Sequence, residues 1–418
     1  MEKVIVLDII GIGFGPSNIS LAIVLEEEFP NLKAIFFEQE ETSQWQAGLL
    51  LDNSDIQNHP LRDLATPRNP RSYYSFTNYL FEKGRLFEHL NLGLHFPYRY
   101  EYKDYIKWAA DHFEHQVKYA TRVISIEILR HEITGEDIIE VTTDKNGKYR
   151  CKNLIIGTGR TPYIPDILSR LESSYIIHGV KFNKVINQIE KGEIKSIAVV
   201  GGSQSAIEIL VYLSERFPHL KIHGISRKYG YRLKDTSPFT GEVYFPEFID
   251  IFYNSTRENK QRIKNDLNLT NYAASDADVL DTLYRNIYRD KYFGDKKITI
   301  HNSVDLKNAT IVDGKVQIVL KNAYEDEKTQ IITVDLVVSA TGFRDIGVEE
   351  NQEKYPKILQ LIKSHLFNTE SDEIKINRDY RIGFTEEKKL NIYLNGLCET
   401  SHGMGDAGSI SLNAFSKW

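Results

Sequence analysis

An α/β fold built from two Rossmann-like domains and a small, mostly helical region is predicted by three observations. Strand-like β-branched runs alternate with helical patterns along the chain. A glycine-rich turn joins a strand to a helix twice, once near residue 11 and again near residue 201. The length of 418 residues exceeds one ordinary core and suits two or three domains.

The elements follow in order. Val4 to Ile10 reads as a buried strand, Ser17 to Glu28 as a helix, and Lys33 to Phe37 as a second strand ending at Glu38. The same order recurs with Ser196 to Val200, Ser205 to Arg216 and Lys221 to Ser226. From about Lys234 to Asp295 aromatic and polar residues dominate, with helical spacing in the second part. That stretch predicts a helical insertion able to close over a substrate. Lys297 to Ile300, Thr310 to Val312, Lys315 to Lys321 and Gln330 to Ala340 read as strands returning to the sheets. The expected division is 1–165 with 330–418 for the first domain, 166–233 with 296–329 for the second, and 234–295 for the helical region.

Composition narrows the classes. With 41% hydrophobic and 26% charged residues the balance is that of a soluble globular protein. A net charge of -6 without a basic block excludes nucleic acid as an expected partner. Cys151 and Cys398 are the only cysteines and form no motif, so neither a disulfide framework nor a zinc site is expected, and the compartment reads as reducing and cytoplasmic. The N-terminal apolar run is broken by Asp8 and leads into a glycine turn without a small-residue cleavage site, unlike a signal peptide. No run reaches the roughly 20 apolar residues of a membrane span.

The first turn is Gly11-Ile12-Gly13-Phe14-Gly15-Pro16. Gly11 makes the tight bend, and Gly13 lets the backbone approach a pyrophosphate at the helix N-terminus. Glu38, 27 residues beyond Gly11, is placed to accept a ribose hydroxyl. The competing reading is a glycine turn used only for packing. The second turn is Gly201-Gly202-Ser203-Gln204-Ser205. Ser203 replaces the second glycine of G-x-G, which holds a phosphate less closely, although Ser203 and Ser205 can donate hydrogen bonds to it. Ser226-Arg227-Lys228 follows the next strand, where a basic residue favours the 2′-phosphate of NADPH and an acid favours NADH. The competing reading there is a solvated basic turn.

Two stretches echo each other, Ile155-Ile156-Gly157-Thr158-Gly159 and Ser339-Ala340-Thr341-Gly342-Phe343. Glycine there lets the chain cross close to a cofactor or turn between domains, and Thr341 and Gly342 join the candidate cofactor set. The absence of Cys-x-x-Cys argues against a dithiol reductase. The histidines are scattered, and only His402, in the glycine-rich turn Ser401-His402-Gly403-Met404-Gly405, is kept as a substrate candidate.

Beyond these motifs the chain resembles the flavin-dependent N-hydroxylating monooxygenases, the lysine and ornithine N-monooxygenases of siderophore biosynthesis. The likeness runs over nearly the whole chain. It is carried by DIIGIGFGPSNISLAI, IQNHPLRDLATPRNPRSYYSFTNYLFEKGRL, YRYEYKDYIKWAA, VVGGSQSAIEI, KDTSPFTGEVYFPEFIDIFY, LTNYA, VVSATGF and YLNGLCETSHGMGDAGS. Pro16, where other flavoproteins place the third glycine, is similar to this family as well.

The resemblance implies FAD on the first turn, NADPH on the second, and a flavin hydroperoxide that oxidises a neutral amine to a hydroxylamine. Its partners are a small-molecule amine and O2, and a homo-oligomer, dimer or tetramer, is implied. An amine of pKa ~10.4 is neutral in about one molecule per thousand near pH 7.4. Lowering that pKa by three units through burial costs about 4 kcal/mol, within reach of desolvation. A dry pocket then both discharges the amine and protects the oxidant.

By motif match Gln57 is the catalytic glutamine beside the flavin and Asn271 the asparagine that contacts the substrate head group. Trp45 and Asp406 are placed in the cofactor set, and Arg232 or Arg227 is the arginine that holds NADPH. Two positions depart from the family. Arg62 stands where the family has a substrate-binding lysine, and Gly241 where it has a second head-group asparagine. Arginine keeps an anchor for a carboxylate, as a planar fork rather than a point charge. Glycine removes a contact to the α-amino group and opens space. Ornithine, lysine and a carboxylate-bearing amine with another head group therefore all stay open, as does a diamine, which gains nothing from Arg62. A monooxygenase acting on sulfur or a carbonyl and a non-catalytic redox sensor are the remaining alternatives.

Overall fold

Isoleucines at 9, 10 and 12 make Val6–Ile12 a strand that needs cover on both faces, and it lies between two parallel neighbours, Ala34–Phe37 and Lys148–Ile156. The structure, a computed structural model, describes residues 6–52, 54–130, 135, 137–325, 328–366, 373–384 and 390–410. The expected strand start at Val4 lies outside them. Val117–Lys118 adds to the outer edge of Ala34–Phe37. On the other side, Val123–Arg130 and Asp137–Thr143 form an antiparallel extension of Lys148–Ile156. Asn391–Leu394 pairs in parallel with the end of that same strand, so the C-terminal part of the chain returns to the first sheet. Helix Pro16–Glu28 starts on a proline, where no backbone donor is missed, and buries Ile19, Ala22 and Ile23 against the sheet. Helix Arg99–Asp111 packs into the same core through Tyr102, Tyr105 and Ile106.

The second sheet is wholly parallel, in the order Ile298–His301, Lys221–Ile225, Ser196–Val200, Leu336–Ser339, Ile176–His178. Helix Gln204–Arg216 covers one face, and the antiparallel strands Val304–Val312, Lys315–Asn322 and Thr329–Val334 cover the other through Val316, Ile318 and Leu320. The two predicted Rossmann units are therefore present, and each glycine turn sits at the carboxyl end of its central strand.

Three expectations change. The run from Gln330 to Ala340 is two strands in two sheets. Asp335 breaks it, its Oδ2 accepting from the Lys195 and Ser196 amides and the Ser196 hydroxyl, each at 2.9 Å. Both strands belong to the second unit, which moves the boundary expected at residue 330 to the crossing at Thr341–Gly342. There Phe343–Arg344 pairs antiparallel with Thr161–Pro162, joining the two passages between the units. The helical region also divides. Helix Pro246–Tyr253 packs on the first unit, Tyr253 Oη donating to Ile376 O at 3.2 Å, whereas Ala277–Tyr292 lies along Gln204–Arg216 in the second. Among the described residues no helix is long and apolar enough to cross a membrane.

Candidate active site

The first turn is closed by near-contact packing. A Cβ on Gly11 would meet Phe36 Cδ1 at 2.2 Å, and one on Gly13 (φ +85°) would meet the Gly157 carbonyl oxygen at 2.5 Å. Gly15 is different, because nothing lies within 4 Å of its Cβ position. It precedes a helix whose first turn has no side-chain cap, which leaves amides free for an anion. Glu38 is fixed beside this turn, accepting from the Phe14 amide at 2.7 Å and the Glu40 amide at 3.0 Å, and each oxygen retains a lone pair for a hydroxyl. Sequence reasoning missed Asn18 and Asn395. Asn18 Nδ2 donates to the Gly13 carbonyl at 2.7 Å, and its Oδ1 accepts from Asn395 Nδ2 at 2.7 Å. Gly157 closes on this pair, since a Cβ there would sit 2.7 Å from Asn18 Nδ2. The first glycine echo is thus a packing requirement of the turn.

The segment from Trp45 to Thr66 joins the two units. Trp45 packs on Tyr102 with ring centroids 5.7 Å apart. Gly48 is pressed against the second unit, where a Cβ would fall 1.9 Å from the Val180 carbonyl oxygen. Buried Arg99 then clamps the segment. Its guanidinium donates to Leu49 O at 2.9 Å and to Asp55 O at 3.0 and 3.2 Å, and it forms a two-pronged pair with Glu208 at 2.8 and 2.9 Å. Gln57 follows with φ +54° and its amide on Asp55 Oδ1 at 2.8 Å. Its side-chain Nε2 is buried without a hydrogen-bond partner among the described residues, as expected of a donor shaped for a bound group. Asp63 fixes the next stretch, accepting from the amides of Ala65, Thr66 and Phe76 and from the Thr66 hydroxyl. Half-buried Arg62 carries its guanidinium 5.9 Å from the Tyr244 ring centroid, and no ion pair engages it among the described residues.

In the second turn, a Cβ on Gly201 would approach the Ala340 carbonyl oxygen to 2.4 Å, while Gly202 faces Ser226 Oγ at 3.0 Å. The Ser203 and Ser205 hydroxyls have no protein partner among the described residues, so both are available to a phosphate. The Gln204 side chain donates from Nε2 to Glu208 and accepts on Oε1 from the Asp276 amide, both at 2.9 Å, which ties the turn to the start of helix Ala277–Tyr292 and leaves one N–H and one lone pair over. Arg227, Lys228 and Arg232 are exposed and carry no ion pair among the described residues, so each is available to an anion. Thr341 Oγ1 donates to Tyr163 O, and the Gly342 carbonyl (φ +80°) accepts from the Tyr163 amide at 2.9 Å. These two residues turn the chain between the units, one of the two uses that their sequence allowed.

On the substrate side, nothing lies within 4 Å of a Cβ on Gly241, so the space is open. Asn271 ends the short helix Asn268–Asn271, and Tyr272 beside it enters a buried cluster that sequence reasoning missed. Arg160 Nη1 donates to Asp345 Oδ1 at 3.1 Å and to Glu399 Oε2 at 3.2 Å, and the Tyr272 hydroxyl donates to Glu399 Oε2 at 2.5 Å. Burial pushes the Glu399 carboxyl up to about 8 against the pull of Arg160. Asp406, 2% exposed, accepts from the Cys398 amide at 2.5 Å and so shapes the turn that carries Glu399.

His402 departs from its expected role. Nδ1 pairs with Ser401 Oγ at 2.8 Å, Nε2 with Arg378 O at 3.1 Å, and Tyr380 stacks on the ring at 4.0 Å. No ring nitrogen is left for a substrate, and the geometry makes it a packing residue. Burial, and then the Arg378 charge, push it down to about 4. A histidine depressed from about 6.5 stabilises fully above that value and loses its contribution as pH falls through 4, about 3 kcal/mol in all. Urea midpoints should therefore fall between pH 6.5 and 4, and His402→Gln should flatten that slope. An unchanged slope would remove His402 from the account.

Comparison with known proteins agrees with this geometry. The model of the L-lysine 6-monooxygenase/L-ornithine 5-monooxygenase family matches residues 5–345. An L-ornithine N(5)-monooxygenase of Burkholderia cepacia is 34% identical over 415 residues, covering 96% of this chain and 91% of that protein. The ornithine hydroxylase PvdA of Pseudomonas aeruginosa superposes with a TM-score of 0.88 at 29% identity, covering 99% of this chain and 98% of that one. The ornithine N-hydroxylase of Kutzneria sp. 744, solved with reduced FAD, NADP+ and L-ornithine, gives 0.89 at 28% identity with the same coverage. The chain belongs to the L-lysine 6-monooxygenase/L-ornithine 5-monooxygenase family, the flavin-dependent N-hydroxylating enzymes that its sequence resembles.

Proposed function

We propose that the protein uses NADPH and O2 to hydroxylate the side-chain amine of ornithine, lysine or a similar carboxylate-bearing amine, with FAD as its resident cofactor. The observation that carries this reading is the loop 55–62. It presents a buried Gln57 side-chain Nε2 without a hydrogen-bond partner and, five residues on, an Arg62 guanidinium without an ion-pair partner, both among the described residues. The uncapped turn at Gly11–Pro16, with Glu38 beside it, would hold FAD, and Gln57 would donate to it. Gly201–Ser205 with Arg227, Lys228 and Arg232 would hold NADPH. When bound and reduced, the flavin supplies the activated oxygen.

The protein's own part is to bind, orient and dry the amine. Arg62 holds the substrate carboxylate with a fork of donors. Tyr244 and Tyr272, more than half withdrawn from water, line the approach and disfavour the charged ammonium, so the amine reaches the oxidant neutral. The deciding experiment is a screen of amines and amino acids for hydroxylamine, with peroxide measured alongside, because uncoupled flavin also consumes NADPH. Peroxide without hydroxylamine from any amine would overturn the reading.

Coenzyme choice gives a second test. Arg227→Ala should raise the KM for NADPH about tenfold, the loss of one charge-assisted contact, and leave that for NADH nearly unchanged. Equal losses with both coenzymes would place Arg227 away from the 2′-phosphate.

A further inference from the structure

Taking the amine-hydroxylase reading above as its base, we propose that Glu399 binds the α-ammonium of the substrate, so that the site recognises a zwitterionic amino acid through two opposite charges, Arg62 on the carboxylate and Glu399 on the ammonium. The open space at Gly241 leaves the α-amino group without the side chain that the family places there. Glu399 is the candidate replacement.

Glu399 is 5% exposed, and its Oε2 is taken by the Tyr272 hydroxyl and Arg160. Its Oε1 takes no hydrogen bond among the described residues and is not sealed from solvent, so it is open to an incoming donor. Charge counting gives the sign of that donor. One guanidinium, Arg160, is shared between two carboxyl groups, Asp345 and Glu399, so a further cation is favoured there over a further anion. Burial first, and the Asp345 charge after it, push the Glu399 carboxyl up, and a bound ammonium would oppose that push.

Position points to the head group and not to a remote cation. Tyr272, on Glu399, directly follows Asn271, the expected head-group asparagine. Tyr244 lies beside Arg62, and its hydroxyl, pushed up first by burial, is also raised by the Glu399 charge and lowered by that of Arg62. One tyrosine is thus near enough to feel both groups. An α-amino acid carries an anion and a cation on one carbon, and this arrangement is its electrostatic complement. A diamine would place a cation beside Arg62, and an ω-amino acid would leave Glu399 unmatched.

The test is calorimetric binding to the oxidised FAD-loaded enzyme with NADP+ present. The ligands are L-ornithine, L-lysine, the corresponding ω-amino acids 5-aminopentanoate and 6-aminohexanoate, and 1,4-diaminobutane. The wild type should bind the preferred α-amino acid at least about tenfold more tightly than the analogue lacking the α-amine, the size of one charged hydrogen bond. Glu399→Gln, which keeps an acceptor for Tyr272, should erase that preference by weakening the amino acid and leaving the ω-amino acid within about threefold. Glu399→Asp should restore part of it. Flavin content and melting temperature equal to wild type establish that the variants are folded. An unchanged preference in Glu399→Gln, or equal loss of both ligands, would show that Glu399 only holds Arg160 and would overturn the proposal. Failure of the wild type to bind or hydroxylate any amine would overturn the enzyme reading as well, whereas hydroxylation of ornithine with an unaltered Glu399→Gln preference would sink only the role of Glu399.

Discussion

Gly13→Val should yield a folded protein that retains no flavin. Two independent costs converge at this residue. The backbone sits at φ +85°, where a β-branched side chain is strained by roughly 1–2 kcal/mol. Its Cβ would also lie 2.5 Å from the Gly157 carbonyl oxygen, a rigid backbone atom that cannot step aside cheaply. The chain must retreat, and the amides of the turn no longer converge on a pyrophosphate. Gly15→Val separates ligand from scaffold, because nothing in the protein lies within 4 Å of a Cβ there and the backbone is extended. That variant should fold with wild-type stability and still lose flavin affinity. The measurement is flavin absorbance per protein after gel filtration, beside circular dichroism. Wild-type flavin content in a folded Gly13→Val protein would displace the cofactor from this turn.

Arg62→Ala should lower coupled hydroxylation at least a hundredfold. Arg62 is half-buried beside Tyr244, with no protein carboxylate engaged among the described residues, so a bound substrate carboxylate would depend on it. Removing one partner of such a pair costs about 3–5 kcal/mol, and ~1.4 kcal/mol corresponds to tenfold in rate. Flavin reduction by NADPH should persist, since that half-reaction does not need the amine. The readout is hydroxylamine formed per NADPH oxidised. Arg62→Lys combined with Gly241→Asn should shift preference toward free ornithine or lysine, and the open space at Gly241 admits the larger side chain. Coupled turnover that survives Arg62→Ala would move the case to a diamine or a neutral amine.

Local chemistry makes much of this fold legible in the sequence. The glycines at 11, 13 and 201 answer to turn geometry and close backbone approach, which are properties of a few consecutive residues. The two strand–turn–helix units follow from apolar periodicity and end within a residue or two of where they were read. The run to Ala340 misled because one Asp335 within an apolar stretch does not by itself mark a strand end. What breaks the strand there is a carboxylate binding amides 139 and 140 residues away, which has no local signature.

The sequence by itself determined the fold class and both glycine turns, short-range patterns written in spacing and residue type, and its family resemblance singled out the loop that carries Gln57 and Arg62. Only the tertiary structure decided which polar side chains meet. Arg99 reaches Glu208 across 109 residues, Arg160 reaches Glu399 across 239, and Asn18 reaches Asn395 across 377. It also withdrew His402 from ligand contact by giving both ring nitrogens protein partners. A buried polar group must find a partner somewhere, but nothing in its sequence neighbourhood says where, because the folded sheets choose the meeting point.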